Sequence, residues 1–194
     1  MIRALAVTLI LLILFGCNKP KVINPYLTEE EKISNEIEDC LKYSWKCKIY
    51  KVVEPGKLLR DLMVSSVGSE DRKQKREELN KYIASANKIN NAYIIKAVGH
   101  NLSSGAIRQF NDIYHKNKKI EEESPLFGNL GCGFNADYCL SFYYKKQRMD
   151  FVFCFSCCQY KVYSNGKNSD GTRLFIYVEE ELKELIEKSM LGDN

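Results

Sequence analysis

Histidine is nearly absent: two residues, His100 and His115, in 194. Neither has a serine or aspartate beside it in a recognisable nucleophile motif, so each reads as a surface or otherwise satisfied polar group. Ser103-Ser104-Gly105 is a turn and not a Gly-x-Ser-x-Gly elbow. Phosphate-binding loops and metalloprotease motifs are missing as well. These absences remove the commonest hydrolase and nucleotide-binding classes. A large excess of one charge sign is lacking too. Twenty-nine Lys and Arg face 25 Asp and Glu, a net charge of +4, and the basic residues are interleaved with acids over Glu70–Glu78. That interleaving suits a solvated helix face and gives no phosphate-binding stripe, so nucleic acid is not an expected partner. Internal repeats and low-complexity segments are absent.

Long hydrophobic runs are also lacking. The longest, Ala4 to Phe15, has 12 residues, too short for a comfortable membrane span and right for a signal-peptide core. One positive charge, Arg3, precedes it, and Gly16-Cys17 follows. Leu14-Phe15-Gly16-Cys17 resembles the lipobox of bacterial lipoproteins. The resemblance implies cleavage before Cys17, a diacylglycerol on its sulfur and an acyl chain such as palmitate on its amine. Several chains make a stable anchor, since each buried methylene contributes about 0.8 kcal/mol. Residues 1–16 are then a signal peptide, and 17–27 the lipidated cysteine and a tether with two prolines. The expected place is the cell envelope, with the membrane as a partner through the lipid. Asn18 in place of an aspartate leans toward the outer membrane.

What remains, 28–194, has the length of one globular domain, in a chain that is 45% hydrophobic as a whole. Thr28 with Glu31 forms a capping-box pattern, and Ile33, Ile37, Cys40 and Leu41 recur at helical spacing, predicting a helix over Thr28–Tyr43. Cys47–Val53 reads as a strand, Leu58–Met63 as a short helix, Ser69–Ile89 as a charged helix with a thin apolar stripe. Ala92–Val98 is a strand or short buried segment, Gly99-His100-Asn101 a turn, Ser104–His115 a helix, and Lys116–Ser124 a polar loop.

The densest aromatic and β-branched run, with five of the eight cysteines, lies between Cys132 and Tyr163. Strands are predicted over Cys139–Tyr144, Met149–Cys154 and Cys158–Tyr163. The link Phe155-Ser156-Cys157 lacks a hairpin dipeptide and reads as a bulge in one long strand or a turn. Asn165-Gly166 and Asp170-Gly171 are turns, Arg173–Tyr177 a fourth strand, and Glu179–Met190 a last helix. The expected fold is α+β: a small antiparallel sheet ending in a strand meander, with helices against one face. In Phe142-Tyr143-Tyr144 the rings alternate faces, either core on one side and surface on the other or a ligand-binding patch.

The cysteine stretch resembles a group of uncharacterised bacterial proteins, many of them exported. Their shared pattern is matched by Cys132, by Phe134-Asn135-Ala136-Asp137-Tyr138, and by Cys154-Phe155-Ser156-Cys157 with Val162-Tyr163. The likeness extends to Val52–Leu62 and Leu182–Met190, which makes 69–124 a mostly helical insertion. Ala136 stands where those proteins often have proline, and Tyr138 where they have histidine. The resemblance implies a fold and carries no activity.

Removing Cys17 leaves seven cysteines in an oxidising compartment. Three readings stay open. Cys132 pairs with Cys154 or Cys157, and Cys40 with Cys47, as structural disulfides, a loop of roughly twenty residues contributing about 3 kcal/mol. Alternatively Cys132, Cys139, Cys154 and Cys157 hold zinc, or Cys154 and Cys157 form a redox pair. Buried inert thiols are the bland option. No cofactor is expected. The functional expectation is a membrane-anchored, non-enzymatic protein that binds another protein or an envelope component. The alternative is an envelope thiol-redox or zinc-binding protein using the Cys132/Cys154/Cys157 cluster.

Overall fold

A computed structural model describes residues 28–65, 68–123, 133–168 and 172–192. Lipobox residues Leu14–Cys17, the tether, Cys132 and Asp170-Gly171 lie outside them.

The domain is α+β. Helix α1 (Glu29–Tyr43) begins with the capping box: Thr28 Oγ1 accepts from the Glu31 N–H at 3.2 Å, and Glu31 Oε2 accepts from the Thr28 N–H at 2.7 Å. After β1 (Lys46–Val53), helix α2 (Pro55–Ser65) starts on a proline, which supplies a helical φ at a position whose N–H would be unpaired anyway. Helix α3 (Ser69–Ser85) has Gly68 at its cap with no side-chain hydrogen bond, and only Leu79 and Ile83 along it are half-buried. It stops before Ile89, because Lys88–Ile89 (β2) pairs with the start of β3 (Tyr93–Asn101). The turn between them places both Asn90 and Asn91 at φ 55, the left-handed pair that a tight hairpin requires.

Four strands follow helix α4 (Ser104–Glu123): β4 (Tyr138–Tyr144), β5 (Gln147–Cys154), β6 (Gln159–Ser164) and β7 (Lys167–Asn168). A short β8 (Arg173–Leu174) and a 3-10 turn (Ile176–Val178) lead into α5 (Glu179–Leu191). All pairings are antiparallel, in the order β2-β3-β1-β4-β5-β6-β7, with β8 also against β6. The C-terminal meander is therefore present, and the N-terminal β1 and β3 extend it into a larger sheet.

Helices α1, α4 and α5 cover one face. Ile37, Phe110, Phe142, Phe151, Leu182 and Ile186 meet there in the main core. A smaller cluster around Val52, Tyr93, Cys139 and Val152 lies on the other face.

Several local expectations change. Lys116–Glu123 is helix and not loop: the Asn117 amide donates to the Leu174 carbonyl at 2.9 Å, and Lys116 pairs with Glu181, so tertiary partners hold a polar stretch helical. Gly99–Asn101 is strand, because β3 runs on beside β1 until Asn101 meets Lys48. Phe155–Cys157 is a 3-10 turn closed by Cys158 at φ 49, which makes β5 and β6 a hairpin. Beyond Leu174 the expected fourth strand gives way to the 3-10 turn. The segment expected as a helical insertion, 69–124, contains α3 and α4 and also gives β3 to the interior of the sheet and Phe110 to the core.

Candidate functional site

The cysteines are the site residues to which the sequence points. No two described cysteines are joined by a disulfide, and Cys40, Cys47, Cys139 and Cys154 carry free thiols. Cys40 and Cys47 sit on opposite sides of the turn from α1 into β1, both buried in the main core. Cys40 Sγ is 3.4 Å from Ser44 Oγ. Burial pushes its thiol up to about 11, with the Asp150 charge adding to the rise and Ser44 opposing it. Cys139 is completely buried on β4, facing the second cluster, and Cys154 ends β5. Cys154 Sγ accepts from the Asn135 N–H at 3.4 Å, and Cys157 Sγ donates to Gln159 Oε1 at 3.5 Å. Among the described residues no three His, Cys, Asp or Glu side chains converge as a metal site would require. Cys132, the fourth ligand of the zinc reading and a partner in the disulfide reading, lies outside the described residues.

Burial also raises the Cys139 and Cys47 thiols well above their ordinary range; nearby Asp150 and fellow thiols add to it. Protonated, water-excluded thiols are poor nucleophiles and poor metal ligands. They pack here as small apolar side chains. Cys154 precedes a three-residue 3-10 turn and Cys157 ends it, so neither stands at the start of an α-helix.

The second sheet face also holds a buried polar chain. Asp150 is fully buried, opposite Ser141 on β4. Its carboxylate accepts from Ser141 Oγ at 2.5 Å and from Arg148 Nε at 3.0 Å. Arg148 Nη2 lies 3.0 Å from the same carboxylate and donates to Asn90 Oδ1 at 2.9 Å. Burial raises the Asp150 pKa, while Ser141, Arg148 and Asn90 pull it down. Beside this chain the Tyr93 and Tyr163 hydroxyls meet at 2.7 Å. Ser141 is 1% exposed and has no base but an already engaged carboxylate, so this network holds strands together and offers no nucleophile to a substrate.

Outward-facing chemistry concentrates elsewhere, at the end of the sheet where β1 begins and β4 ends. Tyr43 stacks on Tyr144 at 5.8 Å, and Trp45 leans on Tyr143 at 6.4 Å. Trp45, the only tryptophan, is 69% exposed and Tyr43 is 52% exposed. Lysines cover these rings: Lys42 over Tyr43 at 5.2 Å, Lys46 over Tyr143 at 5.5 Å, Lys145 over Tyr144 at 4.8 Å. A cleft of about 460 Å³ opens beside Trp45, between the end of α1 and the start of α4. Leu41, Leu102 and Ile107 form its apolar part; Lys42, Arg108 and Asn111 bring charge and an amide. Asn111 Oδ1 is buried there without a hydrogen-bond partner.

Of the predicted aromatic run, Phe142 is fully buried on the helix face, while Tyr143 and Tyr144 flank this end from opposite faces of the sheet. Tyr138, at the histidine position of the resembling group, packs edge-on against Phe155 at 5.9 Å. Ala136, at their proline position, is buried in the second cluster. His100 and His115 are both exposed, and His115 Nε2 sits 3.3 Å from Glu38.

Tyr43 and Trp45 are not among the expected site residues, although Tyr144 and Tyr143, on which they pack, belong to the aromatic run the sequence offers. Their signal is the alternation of aromatic residues and lysines over 42–46, Lys-Tyr-Ser-Trp-Lys, just past a helix end. Compared with protein-family models, curated proteins and solved structures, the chain matches none.

Proposed function

We propose that this chain is a lipid-anchored protein of the bacterial cell envelope whose folded domain acts by binding rather than by turnover. The lipobox-like Leu14-Phe15-Gly16-Cys17 at the end of an apolar run carries the anchoring part. No described helix is long and apolar enough to cross a membrane, so membrane attachment in this reading runs through the lipid on Cys17. Support for binding comes from where the side chains with chemistry point. Ser141, Cys139 and Asp150 are sealed inside, whereas the rings and cations of the Trp45 end face outward beside an open cleft. Such an amphipathic aromatic surface suits recognition of an envelope component.

Intact mass of the protein taken from its native membrane tests the anchor. The expected result is an N-terminus at Cys17 carrying a diacylglyceryl group and an acyl chain, lost in a Cys17→Ser variant. An N-terminus beyond Cys17 with no lipid would return the protein to a soluble compartment and end this reading. Zinc in the native-state mass, or turnover of dithiols that stops on Cys154→Ser substitution, would replace binding by the thiol chemistry.

A further inference from the structure

We propose that the Trp45 end is a docking surface for an anionic phospholipid bilayer, with the cleft beside Trp45 receiving a headgroup. The proposal rests on the anchored reading and names what the domain binds. Tyr and Trp rings with one apolar side and one polar edge are the side chains that settle at the headgroup level of a bilayer. Here two of them, Tyr43 and Trp45, are more than half exposed at one end of the fold, each backed by a second ring. Lysines stand over those rings at 5–6 Å, so their stems can lie along apolar surface while the ammonium groups reach phosphate.

The cleft complements a headgroup in both senses. Lys42 and Arg108 supply positive charge for its phosphate, with the Ser44 and Ser104 hydroxyls beside them. The buried, unpartnered Asn111 Oδ1 is an acceptor that a headgroup hydroxyl would satisfy. Two carboxylates, Glu36 and Asp39, line a second cleft together with Tyr144, Lys145 and Lys146, so attraction falls mainly to Lys42, Lys46 and Arg108.

The anchor permits this orientation. Helix α1 has 15 residues and is about 22 Å long, and the Trp45 end lies past its C-terminus. The 11 residue steps from Cys17 to Thr28 span up to about 36 Å. The chain can therefore rise beside α1 and let its far end touch the bilayer. Tethering also places that end at an effective concentration of order millimolar, so a weak interfacial affinity suffices.

The single tryptophan provides the test. The full lipidated chain is reconstituted in phosphatidylcholine vesicles with and without phosphatidylglycerol, and Trp45 emission is read with brominated acyl chains and with aqueous iodide. Docking gives a blue shift, quenching by the brominated chains and protection from iodide, all stronger with phosphatidylglycerol. Lys42→Gln and Lys46→Gln each lower the docking equilibrium constant by about fivefold. Emission open to iodide and untouched by brominated chains in both vesicles overturns the proposal. Protection from iodide without bromine quenching overturns it as well, because it means a different occupant. Intact mass of the same sample reads Cys17 lipidation separately. If the anchor is missing, the unlipidated chain is added to the same vesicles, and Trp45 quenching alone decides the docking.

Discussion

Gly99 offers a test in which two physical effects have opposite signs. It lies on β3 outside the left-handed region, so alanine fits its backbone. On backbone grounds alone, Gly99→Ala stabilises a strand by about 0.5–1 kcal/mol, because glycine loses more freedom on folding. Packing argues the reverse. A Cβ at 99 would stand 2.4 Å from Ile49 Cγ2 and 2.6 Å from Met190 Sδ, each about 1 Å closer than ordinary contact. Ile49 is fully buried in the middle of β1, between β3 and β4, and cannot yield. Met190 is half-buried near the end of α5 and can swing. Overpacking of this kind costs about 1–3 kcal/mol. The net expectation is a loss of about 1–2 kcal/mol, a drop in Tm of about 2–8 °C for a domain of this size. Adding Met190→Ala should recover only part of the Gly99→Ala loss, since Ile49 stays in place. The assay is reversible thermal and urea unfolding followed by circular dichroism. A Gly99→Ala protein as stable as the parent, or more so, would refute the close approach of α5 to β1 and β3.

Arg148→Met leaves the buried Asp150 without its cation and should cost about 3 kcal/mol at neutral pH, the low end for such a pair because Arg148 is itself partly exposed; urea midpoints read it. Because the folded-state pKa of Asp150 is raised above the ordinary 3.8, its contribution to stability is largest below that value and falls as pH rises through the folded pKa. Asp150→Asn should remove that fall, seen by comparing unfolding free energies of the two proteins from pH 4 upward. Gly192 closes α5 at φ 87, and a Cβ there would meet the His100 ring at 3.0 Å, so Gly192→Ala should lower stability by about 1 kcal/mol in the same assay. Cys47 and Cys139, buried and held protonated, should resist iodoacetamide at pH 8 until denaturant is added, with peptide mapping as the readout. Rapid labelling of native Cys139 would reopen the thiol chemistry.

How far the sequence shows this fold depends on where each element's stability comes from. Helix α1 was legible because its cap, Thr28 with Glu31, and its buried stripe of Ile37, Cys40 and Leu41 are both local. The meander from Cys139 to Tyr163 was legible because strands buried on both sides read as runs of aromatic and β-branched residues. Lys116–Glu123 was not, since nothing in that charged stretch announces that Leu174, Glu181 and Glu38 wait on other elements to hold it. Nor was the end of β3: Gly99 looks like a turn residue when its job is to let a helix come close.

The cysteines misdirect attention for a related reason. A thiol's role depends on its neighbours, and spacing along the chain says little about them. Cys139 has Val152 opposite it on β5 and Tyr50 opposite it on β1, an environment that favours the neutral thiol. Asp150, two residues along β5 from Val152, raises that thiol further while its own charge is held by Arg148 and Ser141. Asp150, Ser141 and Arg148 are thus arranged to satisfy one another inside the sheet. At the Trp45 end the balance is reversed. Rings are exposed, lysines lie over them, and a buried amide oxygen waits for a donor. Stability alone would favour a smaller, drier surface there, because exposed Trp and Tyr contribute little to the core. The cost of keeping that end aromatic and open is explained if something outside the chain covers it, and a bilayer within reach of Cys17 would do so.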